Sequence, residues 1–168
     1  MLNNDLQIIG YRTLNKTLIG CSIDLTIDKN RPDLLSEQNN RDIYTLWQTF
    51  MTAQYPKVVP YLIDENIISI NEYITASLIR KWAAVEIVNQ SAYLSEPLNL
   101  LEIQGDYYGF IHTGLAKQFN QSFSAAINYL VHKNITIDKY RPRLDIMHKS
   151  YSPDNSLAEE AFWIPIQS

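Results

Sequence analysis

Five apolar residues recur in the same order 80 positions apart. Ile43, Leu46, Trp47, Phe50 and Met51 make the first set, and Phe123, Ala126, Ile127, Leu130 and Val131 the second. Offsets of i, i+3, i+4, i+7 and i+8 draw one apolar stripe along a helix, which predicts helices over about 41–54 and 116–131. The flanks repeat as well. Residues 16–27 alternate β-branched and polar side chains and read as a strand before the first helix, with strands at 66–73 and 79–88 after it. A strand at 98–112, bent near Gly105, precedes the second helix; strands at 143–149 and 159–166 follow, separated by the turn Ser152-Pro153-Asp154-Asn155-Ser156. Each half is therefore strand–helix–strand–strand. One helix cannot cover three strands, so the halves are expected to pair about a pseudo-twofold axis. The expected fold is one α+β domain over 1–168, with internal repeats at about 16–88 and 98–166. Its sheet should be antiparallel or mixed, with two main helices on one side and a central cleft. Residues 28–40 read as a loop.

Composition removes several functions. The 168 residues carry 14 Lys and Arg against 18 Asp and Glu, a formal charge of −4, which argues against direct nucleic-acid binding. Hydrophobic residues reach 46%, enough to exclude disorder. Charged residues are only 19%, below the roughly 25% of ordinary soluble domains; Tyr, Ile, Asn and Gln take their place. No apolar run approaches bilayer-spanning length. The start, Met1-Leu2-Asn3-Asn4-Asp5, has no basic stretch leading into an apolar one, as a secretory signal would. A cytoplasmic protein without membrane contact is expected. The single cysteine, Cys21, lies in an apolar run and is expected to be a buried, inert thiol.

A duplicated unit leaves a hollow at its axis, where small molecules bind. The carboxylates set inside predicted strands are Glu86, Asp145 and Glu160. Asp5, Asp28, Asp33, Glu37, Asp64 and Glu65 sit where solvated faces are expected. Strand alternation groups Trp82, Ala84 and Glu86 on one face, and Arg143, Asp145 and Met147 on one face. A carboxylate among aromatic rings can hold a cation by charge and ring-face attraction, or act as a general base if its pKa is raised. A solvent-facing place on its strand is the alternative for each. The candidate aromatic ligands are Trp47, Tyr73, Trp82, Tyr108, Phe110 and Trp163, any of which also suits a core or a rim. His112, His132 and His148 lack metal-ligand spacing. With five glycines and no P-loop or dinucleotide fingerprint, no cofactor is expected.

Longer motifs carry a resemblance. Ile43-x-x-Leu46-Trp47-x-x-Phe50 and Lys81-Trp82-Ala83-Ala84-Val85-Glu86-Ile87 mark the first half. The second half holds Gly105-Asp106-Tyr107-Tyr108-Gly109-Phe110-Ile111-His112-Thr113-Gly114, Arg141-Pro142-Arg143-Leu144-Asp145, and Glu159-Glu160-Ala161-Phe162-Trp163-Ile164-Pro165-Ile166. In order and spacing, these resemble the GyrI-like small-molecule-binding domain, the effector-binding domain of AraC-type and MerR-type multidrug regulators. The resemblance implies two strand–helix–strand–strand units and a central cleft that takes bulky, often cationic aromatic compounds against a buried glutamate. Asp145 matches that glutamate and is one methylene shorter; Leu144 stands where the family has Phe. Glu86 and Glu160 are the substitutes. The match begins near the N-terminus, so a stand-alone form without a DNA reader is expected. Binding of a small aromatic ligand is the first reading. Hydrolysis of a reactive electrophile by a pocket carboxylate is the second, and regulation of a protein partner in transcription or at gyrase the third.

Overall fold

Strand β1 (Gln7–Thr26) is long enough to pair with two partners at once, β4 from Gln7 to Gly20 and β3 from Leu18 to Thr26. The structure is a computed structural model and describes residues 6–31, 35–88 and 95–168; Asp5 and Asp33, expected to be solvated, lie outside them. After β1 come α1 (Glu37–Thr49), one π-helical turn (Phe50–Gln54), the short α2 (Tyr55–Val58), β2 (Asn66–Thr75) and β3 (Leu78–Glu86). The second half is β4 (Asn99–Thr113), α3 (Phe119–His132), β5 (Arg143–His148) and β6 (Glu159–Pro165). All pairings are antiparallel, and the order β1-β3-β2-β5-β6-β4 closes on itself into a barrel. That order reads the same from both ends by unit. The halves join at β2–β5 and again at β1–β4, as a pseudo-twofold requires.

Alternation decides what faces where. Leu18, Ile70, Trp82, Ile103, Tyr107 and Leu144 point inward from five of the strands and fill the barrel. On the outside, α1 and the π-helical turn after it lay Leu46 and Phe50 over Ile19, Ala83 and Val85. Helix α3 lays Ala126 and Leu130 over Phe110, Phe162 and Ile164. Leu46 and Ala126, like Phe50 and Leu130, are the recurring positions of the sequence repeat, and all four are buried. Among the described residues no helix is long and apolar enough to cross a membrane.

Two boundaries differ from expectation. Helix α1 starts at Glu37 rather than near 41, because the Ser36 hydroxyl accepts the Asn39 backbone N–H at 3.0 Å. Asn39 itself is buried, with its amide donating to the Thr26 carbonyl. Strand β1 begins at Gln7 instead of Lys16, with a bulge between Ile8 and Gly10. Strand β4 continues through Gly105, whose φ of +116° suits glycine, and the Arg141 guanidinium packs where a Cβ would stand.

A close junction of the barrel pairs Gly109 with Trp163 across β4 and β6. A Cβ on Gly109 would come within 2.6 Å of the indole. Gly109→Ala should therefore lower stability by about 1–3 kcal/mol through overpacking, read as a lower urea midpoint at unchanged slope.

Candidate functional site

The helices cover the flanks of the barrel's outer face, α1 over β1 and β3, α3 over β4 and β6. Strands β2 and β5 lie between them and put Ser69, Asn71, Arg143 and Asp145 on this face. Lys81 reaches in from β3 and Glu160 from β6. A floor of two acids and two bases results, assembled by strand pairing from β3, β5 and β6 around the polar side chains of β2.

Two of the four groups neutralise each other. The Arg143 guanidinium donates to both Asp145 oxygens, Nε to Oδ1 at 3.1 Å and Nη2 to Oδ2 at 2.9 Å. The fork geometry is the strong form of this interaction. Arg143 also lies over the rings of Phe119 and Phe123, 5.2 and 4.8 Å from their centroids. The other two groups are less satisfied. Lys81 Nζ donates to Asn71 Oδ1 at 2.9 Å. Glu160 is 8% exposed, and its carboxyl makes no hydrogen bond or ion pair with the described residues.

Those environments move the pKa values. Burial, reinforced by the Asp145 charge, pushes the Glu160 carboxyl up to about 7, against the pull of Arg143 and Lys81. Burial brings the Lys81 ammonium down to about 8; Arg143 adds to the fall, while Asp145 and Glu160 resist it. Burial and then the Glu160 and Asp145 charges push the Tyr151 hydroxyl up to about 12, which places that ring beside the floor. Glu160 thus changes charge near neutrality, a property common to functional sites.

The sequence candidates divide by strand face. Asp145, Glu160 and the half-exposed Tyr73 belong to the floor, Tyr73 through its field on Arg143. Phe110 and Tyr108 lie under α3: Phe110 stacks on Phe162 at 5.5 Å, and the Tyr108 hydroxyl meets that of Tyr129 at 3.3 Å. Trp47 is packed into the α1 cluster, edge-on to Phe50. Trp82, Trp163 and Glu86 project from the other strand face. Trp82 fills the barrel and donates to Glu72, Trp163 covers Gly109, and Glu86 accepts from Lys16 at 2.8 Å. These three are corrected out of the floor, since alternation turns them away from Asp145.

Sequence reasoning left out Lys81, Arg143, Phe119 and Phe123 as site residues. Arg143 was readable, two positions before Asp145 on one strand. That Lys81 and Glu160 share one face depends on sheet order. His112 is structural: Nδ1 contacts Ser122 Oγ at 2.7 Å and Nε2 the Leu115 carbonyl at 3.0 Å. Burial pushes the Cys21 thiol pKa up, as for an inert cysteine. Among the described residues no group of three or more His, Cys, Asp or Glu is placed to hold a metal ion. A hollow of about 560 Å³ lies elsewhere, between β1 and α1, lined by Cys21, Ile23, Leu25, Leu46 and Phe50 with Asp24 and Asp42 at its polar side. None of the sequence candidates lines it, and its Asp24 is already held by Arg80 at 2.7 Å. The charged floor therefore has the stronger chemistry.

No protein-family model matches the chain, and no curated protein sequence matches it. Solved structures do. SAV2435 bound to tetraphenylphosphonium superposes with a TM-score of 0.71 at 14% identity, covering 98% of this chain and 94% of that one. A protein of Staphylococcus aureus MU50 named for bacterial transcription regulation gives 0.67 at 13% identity over 99% and 100% of the two chains. An integron cassette protein from the mobile metagenome of Vibrio cholerae gives 0.62 at 14% identity over 98% and 100%. At these identities the likeness establishes the fold, the GyrI-like one that the sequence motifs resembled.

Two substitutions separate the acids. Asp145→Asn leaves Arg143 without its charge partner and should destabilise by about 3 kcal/mol, measured by urea unfolding at pH 7. Glu160 behaves oppositely. Its folded pKa of about 7 lies above the ordinary 4.5, so the native state holds more protons than the unfolded one between those values. Its stabilising contribution is complete below about pH 4.5 and is lost as pH rises to 7, on the order of 3 kcal/mol. Unfolding curves at pH 4.5 and 7 should show that loss in the wild type and not in Glu160→Gln.

Proposed function

We propose that this chain binds bulky aromatic small molecules, cationic ones among them, in a cleft between α1 and α3 above the charged floor. The carrying observation is Glu160, a carboxyl 8% exposed and without a hydrogen-bonding partner among the described residues. With Arg143 bound to both Asp145 oxygens, Asp145 has little charge left to offer. Glu160 therefore takes the role that the family resemblance gave to Asp145. Phe119, Phe123 and Phe162, in mutual contact at 5.1–6.3 Å, would supply the ring faces. The fold's likeness to SAV2435, whose structure holds tetraphenylphosphonium, supports the ligand class.

Binding proceeds in this account by exchanging the ligand's water shell for aromatic faces while its charge ionises Glu160. A cation near the carboxyl favours the charged form, so binding releases a proton below pH 7. The same pKa suits a general base acting on a bound electrophile. That favours hydrolysis as the second reading. Turnover of a strained-ring alkylating compound, abolished in Glu160→Gln, would establish it.

Calorimetry with tetraphenylphosphonium tests the binding reading. Affinity should be micromolar at pH 8, weaken about tenfold at pH 6 as Glu160 takes up its proton, and weaken by at least about tenfold in Glu160→Gln at pH 8. Affinity that ignores both pH and the substitution overturns it.

A further inference from the structure

The hollow of about 560 Å³ between β1 and α1 is left unused by cation capture on the floor. Its volume falls within the roughly 300–1,000 Å³ of ordinary small-molecule sites. Both walls follow from regular structure. Cys21, Ile23 and Leu25 alternate along one face of β1. Opposite them, Asp42, Thr45, Leu46, Thr49 and Phe50 form an i, i+3, i+4, i+7, i+8 stripe that runs along α1 into the π-helical turn.

The two walls run in opposite directions. The Asn39 amide ties the start of α1 to the Thr26 carbonyl at the end of β1, while Phe50 packs in one cluster with Cys21. Asp42 therefore stands at the Leu25 end of the hollow and Phe50 at the Cys21 end, about 12 Å further along the helix axis. The ends differ in chemistry. Asp24 has both oxygens held by Arg80, at 2.7 and 3.1 Å. The half-buried Asp42 carboxylate accepts only from the neutral Gln38 amide, at 2.8 Å on Oδ1, and has no cation within ion-pair distance among the described residues. Thr45, one turn along the same face, keeps its hydroxyl free of hydrogen bonds to the described residues. At the far end, Phe50 and Cys21 are apolar, and Lys57 is near enough for its charge to act on the thiol.

We propose that this hollow is a second small-molecule site, which takes primary amines carrying an aryl or alkyl body about 10 Å long. The ammonium donates to Asp42 Oδ2 and Thr45 Oγ1, and its charge supplies the partner that Asp42 lacks. The body leaves water to lie along Ile23, Leu25 and Leu46, with its end against Phe50. Lys57 fixes this polarity, because a cation at the thiol end would meet a like charge. Cys21 takes part only as apolar wall. A primary ammonium brings three N–H donors and a phosphonium none, so the hollow and the floor select different cations. The proposal stands whether or not the floor binds a ligand.

Methyl carbon-13 NMR with 4-phenylbutylamine tests it. The Leu25 and Leu46 methyls should shift on titration with a Kd below about 1 mM, while Ile127 and Ile164, packed on the α3 side, stay in place. Asp42→Asn should weaken binding at least about fivefold, and so should replacing the amine by 4-phenylbutan-1-ol in the wild type. If the variant does not fold, the alcohol comparison decides alone. Saturating tetraphenylphosphonium should leave the amine affinity unchanged. No shift at Leu25 and Leu46 up to about 10 mM amine, equal affinity for the alcohol, shifts centred on Ile127 and Ile164, or displacement by tetraphenylphosphonium would each overturn the proposal.

Discussion

The forked contact between Arg143 and Asp145 sets the electrostatics of the whole outer face. Both residues sit on one face of β5, two positions apart, so their alignment is built into the strand. The barrel interior is filled largely with apolar side chains, and the acids on that strand face, Glu72 and Glu86, are held by Trp82 and Lys16. Lys81, Arg143, Asp145 and Glu160 face outward, between the helices. Once Arg143 and Asp145 have satisfied each other, Glu160 and Lys81 remain with weak partners. Their displaced pKa values follow from that imbalance.

The floor consequently changes charge over a narrow range around neutrality. Below pH 7 Glu160 is mostly neutral, so Arg143 and Lys81 outweigh Asp145 and the floor is positive. Above pH 7 the acids and bases balance, and above about 8 the loss of the Lys81 proton makes it negative. A group of four residues thus presents different partners to a ligand as pH shifts by one or two units. The ring wall of Phe119, Phe123 and Phe162 stays the same throughout, since it does not titrate.

Much of this architecture was legible in the sequence because periodicity reports burial. The repeat of Leu46 and Phe50 in Ala126 and Leu130 located both helices and their packed faces. Alternation correctly grouped Trp82 with Glu86 and Arg143 with Asp145. The start of β1 was hidden because Ile8 and Ile9 are adjacent and Gly10 sits at a bulge, which breaks a period of two. The start of α1 was hidden because Glu37, Gln38, Asn39 and Asn40 look like a loop; the Ser36 cap and the buried Asn39 amide make that polar stretch helical. Of the candidate site, the three acids were named but their faces were not resolved. Alternation fixes faces relative to one strand only. Which acid shares a face with Asp145 depends on register across β2, β5 and β6, and that is a property of the closed sheet.

Ligand binding as proposed depends on Glu160 being a buried carboxyl that has no hydrogen-bonding partner among the described residues. Carbon-13 NMR titration of the Glu160 side-chain carboxyl, with and without tetraphenylphosphonium, measures this directly. The account predicts an apparent pKa near 7 for the free protein and a fall of at least about one unit when the cation is present. A free-protein value near the ordinary 4.5, or a midpoint unmoved by saturating cation, would contradict it.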